Sequence, residues 1–173
     1  YAAWAELRAL SRAHLMPWEP LWSRDELTRT SYRRRLRAYG QDARDDQGYS
    51  FFVTTTAADT LIGGLTLSNI RRGAAQTASL GYWMGARFAG KGYMSDAVSV
   101  IKHHAFGTLA LHRLEAACIP DNERSVRLLK NAGFELEGHL RSYLKINGRW
   151  RDHLLFSCFD AASTKAGAKV SGV

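Results

Sequence analysis

Cysteine is scarce in this chain: 173 residues include two, Cys118 and Cys158. Both lie in strand-like runs and match no metal-ligand spacing, so neither a disulfide framework nor a cysteine-built metal site organises the fold. Free buried thiols in a reducing compartment are expected, and with them a cytoplasmic protein that needs no metal. Proline is limited to three residues, and no proline-rich linker divides the chain. No apolar run approaches the roughly 18 residues that cross a bilayer. No charged-then-apolar leader pattern is present at the start. Acidic residues are few as well: 16 Asp plus Glu stand against 24 Lys plus Arg, a net charge of +8. That excess favours anionic partners, whether nucleic acid, a phosphorylated cofactor or an acidic surface. Much of it lies in Arg33-Arg34-Arg35-Leu36-Arg37. Either a solvated helix face or a docking patch accounts for this run, and its spacing does not choose.

The remaining composition, 46% hydrophobic and 23% charged, is that of one globular domain with a sizeable core. That domain is expected over residues 1–160, with a small, polar, disordered tail over 161–173. The chain opens inside a helical pattern at Tyr1, which predicts a preceding segment, as much as a whole strand. Helices are predicted over 2–14 and, from the capping box Ser23-Arg24-Asp25-Glu26, over 24–39. Residues 40–48 read as a turn. Strands follow over 49–56, 61–70 and 75–84, with short connections that imply antiparallel neighbours. A helix over 93–106 carries Met94, Ala97, Val98, Ile101 and Ala105 on one face and stops at Gly107. A short strand over 112–119 precedes a helix capped by Asn122, with Val126, Leu128, Leu129 and Ala132 inward and a Schellman stop at Gly133. The finish is a hairpin, 141–146 and 150–159, turned by Asn147-Gly148.

Between the third strand and the central helix lies Arg87-Phe88-Ala89-Gly90-Lys91-Gly92-Tyr93-Met94. Two glycines without Cβ atoms let backbone approach a ligand closely, and the helix start beyond them offers free N–H groups and a positive dipole end. This is a place to hold a phosphate or diphosphate. Ser95 stands where a Rossmann fingerprint needs its third glycine, and a P-loop's hydroxyl is missing after Lys91.

Three blocks in order extend the pattern. The first is Leu80-Gly81-Tyr82-Trp83-Met84 running into the glycine loop. The second joins Leu111-His112-Arg113-Leu114-Glu115, Asp121-Asn122-Glu123-Arg124-Ser125 and Asn131-Ala132-Gly133-Phe134. The third is 138–152, with Tyr143, Gly148 and Trp150. On these residues the chain resembles the GNAT superfamily of acetyl-CoA-dependent N-acetyltransferases, and within it the ribosomal-protein-alanine (RimJ/RimL-like) group. The resemblance implies an α/β (α+β) fold: a mixed, mostly antiparallel central sheet with a splayed strand pair and helices on both faces. It implies acetyl-CoA as cosubstrate, held by Trp83, Met84, Arg87, Ala89, Gly90, Lys91, Gly92, Tyr93 and Met94, with Asn122 at the mouth of the gap and Lys130 near a phosphate. The acceptor it implies is a primary amine, the N-terminus of a protein of the ribosomal-protein-alanine type, with a small amine such as an antibiotic, polyamine or amino acid as the alternative; homodimerisation is left open.

For the chemistry, Glu115 is the candidate base, acting through water, with a structural pairing to Arg113 or Arg141 as the alternative. Ser125 is the candidate acid for the departing thiolate, with a helix-start backbone bond as the alternative, and Asn122 at the gap is counted with these two in the expected catalytic set. Many members carry a Tyr seven residues after the Asn. Here it is Leu129, which keeps open a thiolate that leaves unaided, and even cofactor binding without catalysis. Trp22 and Tyr143 are candidates for the acceptor pocket, as are Trp18, His139 and His153 with less to favour them. His103-His104 reads as a surface pair. A nucleic-acid-binding protein using the arginine run is the rival of a different class.

Overall fold

The computed structural model describes residues 1–160, and the tail expected at 161–173 lies outside the described residues. Six strands form one sheet in the order β1-β2-β3-β4-β6-β5. They are β1 (Tyr49–Thr54), β2 (Leu61–Arg71), β3 (Thr77–Met84), β4 (Arg113–Cys118), β5 (Glu135–Ile146) and β6 (Arg149–Phe159). Every neighbouring pair is antiparallel except β3 with β4. Strands joined by tight turns fold back on one another, whereas β3 and β4 are joined through helix α4 (Tyr93–His103), which returns the chain in the same direction.

That parallel pair parts. β3 and β4 are in register at Thr77 with Arg113, Ala78 with Leu114 and Ser79 with Glu115, and nowhere beyond. From there β3 continues along β2 and β4 along β6. The sheet therefore has a V-shaped opening, with gap-side backbone groups of β3 available to a ligand.

On one face, Leu67, Leu80, Leu114, Ala116 and Phe156 pack under Val98 and Ile101 of α4 and Leu129 of α5 (Glu123–Asn131). The opposite face receives α1 (Ala2–Leu10), α2 (Arg12–Leu15) and α3 (Arg29–Arg44). Strand alternation turns Trp83 to that side, where Arg8 of α1 lies 5.0 Å from its ring. Cys118 and Cys158 are free and buried.

Two helices differ from the sequence reading. The first breaks at Ser11, whose Oγ accepts the N–H of Ala86 at 2.9 Å and ties α1 to the end of β3. Helix α3 starts at Arg29 rather than at 24, capped by Thr28, whose Oγ1 accepts the N–H of Ser31 at 3.2 Å. The apparent capping box is used otherwise: Ser23 donates to Asp25 at 2.7 Å, and Glu26 pairs with Arg35. At its far end α3 runs through Gly40 to Arg44, because Tyr39 and Ala43 are partly buried and outweigh the cost of about 1 kcal/mol for a helical glycine. Helix α4 ends in a π turn over His104–Thr108 rather than stopping cleanly at Gly107. The final hairpin turns as expected on Asn147 and Gly148, both left-handed at φ 44 and 79.

Candidate active site

Gly90 and Gly92 have φ of +77 and +87, the left-handed region open to glycine. Gly92 is the N-cap of α4, so the first N–H groups of that helix point out of its start without a carbonyl behind them. A Cβ on either glycine would meet no protein atom within 4 Å: both face open space. That space is a cleft of about 880 Å³. Trp83, Met84, Ala89, Gly90, Lys91, Gly92, Tyr93 and Met94 line one side, with Asn122 and Ser125 on the other. The loop and the start of α5 are thus brought together across the V of the sheet.

Asn122 has a structural task at the cleft's edge: its Oδ1 accepts the N–H of Ser125 at 3.2 Å and caps α5. Ser125 is buried, and its hydroxyl is hydrogen-bonded to the hydroxyl of Tyr82 and in contact with the thiol of Cys118. Burial pushes the Tyr82 phenol well above its ordinary 10 and the Cys118 thiol up to about 11. Both groups keep their protons at neutral pH. The cleft therefore holds a neutral Tyr82–Ser125 hydroxyl pair, while Leu129 is fully buried in the core. The Tyr82 side chain was not singled out in the sequence. Its signal was the alternation of β3, which puts Tyr82 on the same face as Leu80, toward α5.

A second cleft, of about 460 Å³, lies on the α1–α3 side. Trp4, Trp22, Tyr32, Tyr39 and Phe52 give it aromatic walls, and Arg8, Glu19, Glu26 and Arg35 supply its charges. Arg8 is only 5% exposed, with its guanidinium 4.6 Å from the centre of the Trp22 ring. It donates to both oxygens of Glu19, at 3.1 and 2.6 Å, and Trp22 Nε1 donates to the same carboxylate at 2.7 Å. Gly64 permits the floor: a Cβ there would come within 2.5 Å of Trp83 Nε1. Glu19, Tyr82 and Trp83 line both clefts, so the two meet at the end of β3.

Four expected site residues lie elsewhere. Glu115 lines neither cleft. It sits where β3 and β4 are still paired, and its carboxylate accepts from Arg113 Nε at 2.8 Å. The pairing with Arg113 is present, and neither cleft is lined by Glu115. Arg113 also grips Glu137, whose carboxyl is held down to about 2 by that guanidinium and by the Ser157 hydroxyl. Lys130 is exposed on α5 away from both clefts. Arg87 is exposed and stacks over Phe88 at 4.7 Å. Tyr143 packs against His153 at 5.7 Å and reaches neither cleft, because β5 is the outer strand. Trp22, by contrast, is a wall of the second cleft.

A mostly antiparallel sheet split beside a glycine loop is matched by known proteins. The model of the acetyltransferase (GNAT) domain family matches residues 1–135. The chain is a GNAT acetyltransferase. It is 43% identical over 129 residues to the probable N-acetyltransferase YjcK of Bacillus subtilis (strain 168), covering 75% of this chain and 71% of that protein. It is 34% identical over 155 residues to the [ribosomal protein uS5]-alanine N-acetyltransferase of Escherichia coli (strain K12), covering 88% and 80%. Among solved structures, Mycobacterium smegmatis RimJ in complex with CoA-disulfide superposes with a TM-score of 0.87 at 33% identity, covering 96% of this chain and 79% of that one. The mixed six-stranded sheet and its splayed pair are those of a GNAT fold, as the sequence blocks implied.

Proposed function

We propose that this acetyltransferase moves acetyl from acetyl-CoA, held in the first cleft, directly to a primary amine entering by the second, and that the amine is a protein N-terminus of the ribosomal-protein-alanine type. The observation that carries the reading is the junction: Glu19, Tyr82 and Trp83 wall both clefts, so donor and acceptor reach the end of β3 from opposite sides. The glycine loop and the start of α4 suit the diphosphate. Gap-side backbone of β3 suits an extended arm, and an N–H near Trp83 or Met84 suits the thioester carbonyl. An amine that arrives uncharged forms the N–C bond as the C–S bond breaks. Ser125, backed by Tyr82, gives the proton to the leaving thiolate, and the proton lost by the amine passes to water in the second cleft. Cys118, a thiol held protonated, is a poor nucleophile, which agrees with transfer in one step.

Charge in the second cleft bears on the acceptor. Glu19 is matched by Arg8 and Glu26 by Arg35. A polyamine needs unmatched carboxylates along its length, whereas a single uncharged amine does not, and aromatic walls suit its apolar neighbours. The relative named for uS5 alanine supports the same acceptor class. The test is coenzyme A release with alanine-starting peptides, the same peptides N-formylated, and spermidine. Turnover of the free peptides alone is expected; a preference for spermidine overturns the acceptor assignment.

A further inference from the structure

Helix α3 turns one side to the second cleft, through Tyr32, Arg35, Leu36 and Tyr39. Along another side it carries Arg29, Arg33, Arg37 and Arg44, all exposed. At about 100° per residue these four fall within a stripe about 80° wide and about 22 Å long. Arg33 and Arg37 have no hydrogen-bond or ion-pair partner among the described residues. Arg29 lies 4.7 Å over the Tyr1 ring, and Arg44 donates to Gln41 at 2.7 Å. The other two arginines of the helix are occupied, Arg34 with Asp25 and Arg35 with Glu26. No acidic residue occurs from 27 through 41.

This arrangement works against the helix. Arg29 sits at its positive end, where the dipole disfavours cations, and the first turn holds no acid. Spacings of four between Arg29, Arg33 and Arg37 set like charges side by side with nothing between them to offset the repulsion. A sequence under selection for stability alone would mix signs here. A local rule broken without local compensation is what a binding surface looks like.

The chemistry of the stripe selects its partner. It contains guanidinium and no lysine, which favours phosphate recognised through paired N–H donors. Apolar residues are absent from its centre, unlike the core of a protein–protein interface. The Tyr1 ring beside it lies under Arg29, so the stripe offers no open row of aromatics on which unpaired bases could stack. The steps of about 6 Å from Arg29 to Arg33 to Arg37 are close to the separation of neighbouring phosphates on one strand, and Arg44 lies about 10 Å further along. We propose that the α3 stripe docks on the phosphate backbone of double-stranded RNA, without reading sequence. Its place beside the second cleft then lets an RNA-bearing particle present a protein N-terminus to the acceptor side, a link that rests on the function proposed above.

The test is fluorescence anisotropy of a labelled 20-base-pair RNA duplex of arbitrary sequence with the full chain, titrated from 50 to 200 mM salt. Four phosphate contacts give a log–log slope of roughly −3 to −4, or a loss of about 10²-fold over that range. The double variant Arg33→Gln/Arg37→Gln should bind more weakly and flatten the slope by about 2. It should acetylate a free alanine-starting peptide as the wild type does, which also establishes that it folds. Arg34→Gln, off the stripe, should leave the slope intact. Absence of duplex binding at 50 mM salt, or an unchanged slope in the double variant, overturns the proposal. Binding to poly-glutamate in preference to the duplex overturns it in favour of an acidic protein. A duplex of DNA bound equally well removes the restriction to RNA. Loss of peptide acetylation by the wild type, with RNA binding intact, would overturn the acceptor assignment and leave the docking surface standing.

Discussion

Replacing Gly92 with alanine separates what the glycine loop does for the fold from what it does for the ligand. Gly92 has φ +87 with no protein atom within 4 Å of the added Cβ, so the fold feels the backbone conformation and nothing else. Left-handed φ costs an L-residue about 1–2 kcal/mol. For a domain of this size that lowers the melting temperature by roughly 2–8 °C. The ligand feels more, because the Cβ occupies the open side from which a diphosphate must approach the first N–H groups of α4. Losing one hydrogen bond to a charged group, worth about 1.5–3 kcal/mol, weakens binding by roughly 10- to 100-fold. Gly73 supplies the control: its φ is +65, its surroundings are equally open, and it lies in the turn between β2 and β3. Gly73→Ala should lower the melting temperature similarly and leave coenzyme A affinity alone. Calorimetric titration with coenzyme A, run beside thermal melts of both variants, makes the measurement. If Gly92→Ala binds coenzyme A as tightly as Gly73→Ala does, the loop is not the diphosphate cradle and the reasoning fails.

Ser125→Ala should lower kcat by about 10²-fold with coenzyme A affinity unchanged, since a general acid acts in the transition state. Tyr82→Phe, which removes one hydrogen bond from Ser125, should lower kcat by a smaller factor, roughly 3- to 10-fold; steady-state kinetics with a free-thiol reporter reads both. Glu115→Gln should leave turnover unchanged, because its carboxylate is held by Arg113 outside both clefts, and a large drop would return Glu115 to the mechanism. The Glu137 carboxyl is depressed from an ordinary 4.5 to about 2, so between those values the unfolded chain binds more protons than the folded one. Its contribution to stability is full above pH 4.5 and disappears as pH falls toward 2. Thermal melts of Glu137→Gln should therefore show a shallower acid loss than the wild type over that window.

The sequence made legible those elements whose signals are local. Asn122 as a cap, Gly133 as a stop, Asn147-Gly148 as a turn and the glycine loop before α4 are all dictated by conformations that few residues accept. Helix α3 was displaced because its start was decided by tertiary partners. Ser23 and Glu26 form a capping box on paper, but Asp25 and Arg35 claim their side chains. Glu115 illustrates the same limit in the site: strand alternation gives its face, while its distance from the opening depends on how far β3 and β4 stay paired. Tyr82 and Glu19 were hidden for the complementary reason. Their importance comes from elements remote in sequence, α5 for Tyr82 and α1 for Glu19, that converge on one end of β3.

The boundary between the two clefts is Glu19 and the end of β3, whose Tyr82 side chain turns toward α5 and whose Trp83 side chain turns toward α1. Whatever enlarges the room on one side of it moves the boundary of the other. On the function proposed above, tolerance for longer acyl chains and tolerance for bulkier amines are then not separate traits, and mutational routes toward either drag the second along.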